Sequence, residues 1–329
     1  MSAQYAAIAA KLKAMYAKTI SDAEMAQLAE KQTVGEICDY LKSTEAYRDV
    51  LEDIDEENAH RGIIELRMKK KLMDDFFRIY EFSDRQFMTV MDFVFRRREV
   101  EFLKNEIHYI YTKDERKPKP EAESAFESFF EKYTKIDKDA MQNAKTLDDC
   151  YAACKNTCYA EPLGRAANLN ADFFTTGTLL DAYYFQLTRR DIKSKIPANH
   201  SKGIKRIIGT TVDMLNLLWI YRGKKYFNFA NEMIFTYILN MPYRLTRETI
   251  KRLADSESVD AFLDAARKTP YAALFDGVED GVFPEENYQY MEHKIAKSVF
   301  RLETDSPAAI IAYDRLKSYE IWRITIIIE

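Results

Sequence analysis

Apolar residues recur along most of this chain at intervals of three and four, the spacing of one helix face. In the first segment Tyr5, Ile8, Leu12 and Met15 form a stripe, with Lys11, Lys13 and Lys18 off it, which predicts an amphipathic helix over residues 4–18. Ser21-Asp-Ala-Glu24 has the form of a capping box opening a helix that carries Met25 and Leu28. A second short helix carries Val34, Ile37 and Leu41 and ends near Thr44-Glu-Ala-Tyr47. The densest stretch is Thr211 to Lys225. There Leu215, Leu218, Trp219 and Arg222 fall at i, i+3, i+4 and i+7, and Val212, Leu217, Ile220 and Tyr221 fill much of the remaining circumference. A helix apolar most of the way round belongs inside a bundle. Asp213 and Asn216 interrupt it at nearly one phase and Arg222 follows, so these side chains are expected to bond neighbouring helix ends. Strand-length alternation is scarce, and the fold class that emerges is all-α.

The pattern repeats. Tyr47, Tyr159 and Tyr271 each close a Thr-bearing segment and lie 112 residues apart. Counting back from each, Ile37, Cys150 and Phe262 correspond, as do Val34, Leu147 and Val259, with one inserted residue beside Thr44. Further back stand Ser21, Thr134 and Thr246, each a residue type suited to an N-cap. Asp213 follows Glu101 by 112, and Glu320-Ile-Trp-Arg323 begins a third version of the same helix. We read three homologous helical units, residues 1–113, 114–225 and 226–329. Lys113 to Pro120 reads as a charged, proline-broken linker; residues 194–203 and 276–284 read as loops, and the acidic run Asp53 to Asn58 as a solvated helix start.

Composition narrows the function. The 329 residues include only 9 Gly and 8 Pro, which disfavours folds built on tight turns. Charged residues make up 31% with both signs interspersed and a net charge of -4, unlike a nucleic-acid groove or a polybasic anchor. The longest uncharged helical run, Met233 to Tyr243, is far short of the ~20 residues of a membrane span. No basic region precedes an apolar one at the start, so no signal peptide is expected and the chain is expected on the cytoplasmic side.

Candidate chemistry is thin. Cys150, Cys154 and Cys158 share one helix face, but their spacing is Cys-x-x-x-Cys and no fourth ligand is near. In the repeat, Cys150 takes the place of Ile37 and Phe262, and Cys154 that of Leu41 and Ala266, so a core role is expected. With Cys38 the chain has 4 thiols, and disulfides are not expected. His60, His108, His200 and His293 form no metal-ligand pairing. Asp74-Asp75 and Asp148-Asp149 resemble the start of the diphosphate-binding motif of terpene-type enzymes, yet Arg78 and Ala152 stand where a third acid is needed. No phosphate-binding glycine loop or nucleophile elbow occurs. No catalytic, cofactor-binding or metal-binding residue is expected. The 21 Tyr and 20 Phe follow helical spacing and are expected mostly in the core, with some of the Tyr on contact surfaces.

Three tandem all-α units, Thr-x-Tyr unit ends, Val212 to Lys224, and Pro307 to Arg323 with its Tyr313 and Lys317-x-x-Glu320 together resemble the C subunits of V-type and A-type rotary ATPases, called the d subunit in the eukaryotic enzyme. The resemblance covers essentially the whole chain. Trp322 stands where the family usually has Asn, and Gly223 where a small residue, commonly Ala, follows the arginine. The resemblance implies a pseudo-threefold funnel of three helical lobes. Such a protein sits peripherally on the cytoplasmic face of the membrane's proteolipid rotor ring, without entering the bilayer, and takes the foot of the central shaft, the D and F subunits, in its socket. It implies no catalysis of its own: the funnel couples ATP hydrolysis or synthesis to proton or sodium transport. Two other classes remain open from the residues alone, a helical-repeat scaffold and an all-α enzyme. A period of 112 residues with several helices per unit argues against a solenoid, whose repeats span ~20–50 residues.

Overall fold

The computed structural model describes residues 3–55, 59–81, 83, 85–112 and 133–329. Among them every regular element is helical and no strand occurs. The expected linker from Lys113 to Pro120, the Tyr5 side chain and Glu56 to Asn58 of the acidic run lie outside the described residues. Two compact units are present. One holds the described residues up to Val94, Tyr133, Thr134 and Phe300–Glu329; the other holds Phe95–Thr112 and Lys135–Val299.

In the first unit α1 (Ala3–Ala17), α2 (Asp22–Ala29), α3 (Val34–Ser43), α4 (Arg48–Leu51) and α5 (Arg61–Tyr80) precede α6 (Arg85–Thr112), whose first ten residues belong here. Ser21 forms the anticipated capping box: its side chain accepts the Glu24 amide while Glu24 returns to the Ser21 amide at 2.8 Å. His60 caps α5, its Nδ1 accepting from the Ile63 amide. The central element is the last helix, α16 (Ala308–Ile328), which packs on α1, α2 and α5. Its first turns, Ala308 through Lys317, are buried at every position, as in a helix sunk among others.

In the second unit the remainder of α6 is followed by α7 (Lys138–Gln142), α8 (Leu147–Ala153), α9 (Ala160–Asn168) and α10 (Phe173–Lys195). Then come α11 (Lys202–Lys225), α12 (Asn231–Thr236), α13 (Arg247–Ala254), α14 (Val259–Ala266) and α15 (Pro284–Leu302), which crosses into the first unit at Phe300. Helix α11 is the buried helix anticipated from Thr211 to Lys225, and it packs on α10, α12, α13 and α14. Met214, Leu217, Leu218, Ile220 and Tyr221 meet Phe262, Leu263, Tyr271 and Phe275 in one core.

Local capping repeats with the sequence. Thr33, Thr146 and Ser258 are N-caps of α3, α8 and α14, each accepting the amide three residues on, at 3.1, 3.2 and 3.1 Å. Val34, Leu147 and Val259 are thus the first helical residues of equivalent helices. The capping assignment fails at Thr134. No helix follows it; Asp137 caps the short α7 instead, accepting the Ala140 amide at 3.0 Å, while its own amide bonds the Ala153 carbonyl. Thr246 does cap α13.

Candidate functional site

Among the described residues, the most organised polar groups surround the three repeated tyrosines. All three are buried, and each donates its hydroxyl to a carboxylate on a long helix: Tyr47 to Glu320 at 2.5 Å, Tyr159 to Glu99 at 2.7 Å and Tyr271 to Asp213 at 2.8 Å. Local chemistry seats the latter two. Thr157 Oγ1 donates to the Cys154 carbonyl and accepts the Tyr159 amide; Thr269 Oγ1 does the same between Ala266 and Tyr271. In the first copy the extra residue displaces the motif: Thr44 Oγ1 still donates to Leu41, but its carbonyl takes the Arg48 amide. Burial, followed by the negative charge of the adjacent carboxylate, pushes all three phenols above their ordinary range.

The carboxylates differ in their other partners. Asp213, fully buried, accepts the amides of Tyr243, Arg244 and Leu245 at 3.3, 2.7 and 3.0 Å as well as the Tyr271 hydroxyl. Burial raises its pKa, and the amides and the phenol pull it back only in part. Asn216, one turn along α11, makes a two-way bond with Leu239, receiving the Leu239 amide at 2.8 Å and donating to its carbonyl at 3.1 Å. The expectation that these buried polar groups secure neighbouring backbone is met, at the turns before α13 rather than at helix ends. Arg222 reaches a half-exposed ion pair with Glu285. Glu320 accepts from Lys317 Nζ besides Tyr47, and the same ammonium lies 4.4 Å over the Tyr47 ring.

The sequence spacing pairs Asp213 with Glu101. The structure gives that place to Glu99, while Glu101 bonds Arg97 and Arg98 on its own helix. Two residues along a helix are about 200° of rotation, so the two acids face opposite ways.

Cys150 and Cys154 sit where the repeat places them, whereas α8 ends at Ala153, so the half-buried Cys158 does not share its face. Cys150 and Cys154 are fully buried, as are Phe262, Leu41 and Ala266 at the matching positions, and Ile37 is nearly so. Burial pushes both thiols up to about 12, far from the thiolate that metal binding or nucleophilic attack needs. Among the described residues no group of three or more His, Cys, Asp or Glu is placed to hold a metal. The acids Asp148 and Asp149 belong to a helix start: Asp149 completes a capping box with Thr146. Gly223 has a steric reason, since a Cβ there would stand 3.1 Å from Ile234 Cγ1. Trp322 is half-buried and stacks on Tyr319 at 5.5 Å.

The second unit also exposes aromatic surface. Tyr226 and Phe227 are about half exposed; Phe227 stacks on Phe229 at 5.1 Å, and Phe174 contacts Phe227 and Tyr237. No helix among the described residues is long and apolar enough to cross a membrane.

Comparison with known proteins gives this arrangement a family. The chain is 22% identical to the A-type ATP synthase C subunit of Methanosphaera stadtmanae over 97% of its own length and 81% of that protein's. It is 31% identical to the A-type ATP synthase C subunit of Methanobrevibacter smithii, over 45% of its own length and 40% of that protein's. The sequence pattern of the family of ATP synthase (C/AC39) subunits matches residues 8–329, and the chain belongs to that family, the C subunits of V/A-type rotary ATPases.

Proposed function

We propose that the chain is a non-catalytic rotor component: a socket that couples the central shaft, the D and F subunits, to the proteolipid ring on the cytoplasmic face of the membrane. The observation that carries this reading is the family match across residues 8–329. In this reading the three homologous repeats build three lobes about one axis, giving a funnel whose socket admits helices ~10–12 Å across. The polar groups around the tyrosines hold helices and turns together, which suits a part that bears torque rather than one that turns over substrate. Exposed Tyr226, Phe227 and Tyr243 are the kind of aromatic surface that assembly contacts use. Transport of protons or sodium is coupled to ATP hydrolysis or synthesis in the complex, and this chain's part in it is mechanical.

The test is removal of the chain from its membranes. ATP hydrolysis by the soluble head should persist while ATP-driven ion transport is lost, and re-adding the purified chain should restore transport. Undiminished transport without it, with the shaft still attached to the ring, overturns the reading.

A further inference from the structure

The tyrosine–carboxylate pairs are evenly spaced on the tyrosine side and not on the carboxylate side. Tyr271 lies 58 residues after its acceptor Asp213, and Tyr159 lies 60 after Glu99. In both cases the long helix that holds the acceptor comes before the repeat whose tyrosine it binds. Tyr47 breaks the order: its acceptor Glu320 lies 273 residues later, on α16. Glu320 is to Tyr47 what Asp213 is to Tyr271, so the chain's last helix does for the first repeat what α11 does for the third. We propose that α16 is a closing strap for the N-terminal helices, and that the physical lobes are therefore the sequence repeats shifted by one long helix.

Other contacts within the first unit support the strap. Lys317 caps the face of the Tyr47 ring while bonding Glu320, Arg323 pairs with Asp22 in the first turn of α2 at 2.8 Å, and Tyr313 meets Phe76 edge-on at 6.0 Å. Lys317, Glu320 and Arg323 lie at i, i+3 and i+6 on α16, so one side of the strap carries the polar ties to the first repeat. The third repeat is held by different groups: Asp213 fixes the turn that leads into α13 and Tyr271 after α14. The sequence repeat read on its own says the opposite, since Glu320 lies in residues 226–329 with α13 and α14.

Hydrogen–deuterium exchange on the full chain separates the two arrangements. Glu320→Gln, which neutralises the buried acceptor shared by Tyr47 and Lys317, should speed exchange in α2 and α3 by roughly tenfold or more and leave α13 and α14 unchanged. Tyr47→Phe, which removes only the hydroxyl, should act on the same helices and serves where Glu320→Gln does not fold. Tyr271→Phe should speed α13 and α14 and spare α2 and α3. Acceleration of α13 and α14 by either first-repeat variant, equal acceleration of both pairs, or no change in α2 and α3 would overturn the strap.

Discussion

With no surface exposed, Asp213 depends for its solvation on the donors around it: three backbone amides and the Tyr271 hydroxyl. Removing the carboxylate leaves those amides and the phenol buried without an acceptor, which costs more than the bonds were worth net. Asp213→Ala should therefore lower stability by about 1–3 kcal/mol, read as a shift in denaturant midpoint at constant slope. An unchanged midpoint would mean that water replaces the carboxylate. Much at this scale is legible in the sequence: Asp213 and Asn216 stand out as polar groups in an apolar helix, and Cys150 and Cys154 as core residues from their repeat partners. What cannot be read is the identity of each partner. Leu239 and the amides at Tyr243 to Leu245 come from a turn whose path is set by packing, and no residue type there announces an amide donor.

Between elements, α11 comes very close to that same turn at Gly209. A Cβ on Gly209 would lie 2.5 Å from Tyr243 Cγ and 2.7 Å from its Cβ. These atoms sit next to a backbone held by Asp213, so the ring cannot simply swing aside. Gly209→Ala gains up to about 1 kcal/mol of helix propensity but forces an overlap that costs about 1–3 kcal/mol. The net effect should be a lower melting temperature, and adding Tyr243→Gly, which removes the ring and the Cβ together, should remove the penalty of the overlap; a stabilised single variant would show the turn to be free to move. The helices themselves are readable because caps and apolar phase agree, as at Ser21, Thr33 and Thr246. Thr134 misleads because a capping residue type does not make a helix begin: the chain runs three residues further before Asp137 starts α7.

Across the whole molecule, buried tyrosines contribute to its response to base. Tyr47, Tyr159, Tyr271 and Tyr313 are all raised by burial, and Tyr133 and Tyr221 are pushed up to about 12. In the unfolded chain these phenols ionise near ~10. The folded state then binds more protons than the unfolded one, so their contribution is complete below pH ~10 and is lost as pH rises through the folded values. Phenolate absorbance should therefore appear together with loss of helicity, and Tyr47→Phe or Tyr271→Phe should make stability less steeply dependent on alkaline pH. Gradual titration of every tyrosine near pH 10 with helicity intact would refute this. The threefold spacing of these tyrosines is visible in sequence; that Tyr47 belongs with α16 is not, because nothing in a repeat says which copy of a helix a side chain will meet.

The separation of 273 positions from Tyr47 to Glu320 has a consequence in time as well as in space. A ribosome adding ~5–20 residues per second makes the N-terminal helices wait roughly 15–50 s for the helix that covers them. Met25, Leu28, Ile37 and Leu41, all buried in the finished protein, must pass that interval without α16. The chain thus cannot mature strictly from its N-terminus onward: its first helices are among the last to be completed, and until α16 arrives they offer apolar surface for a nascent-chain chaperone to hold.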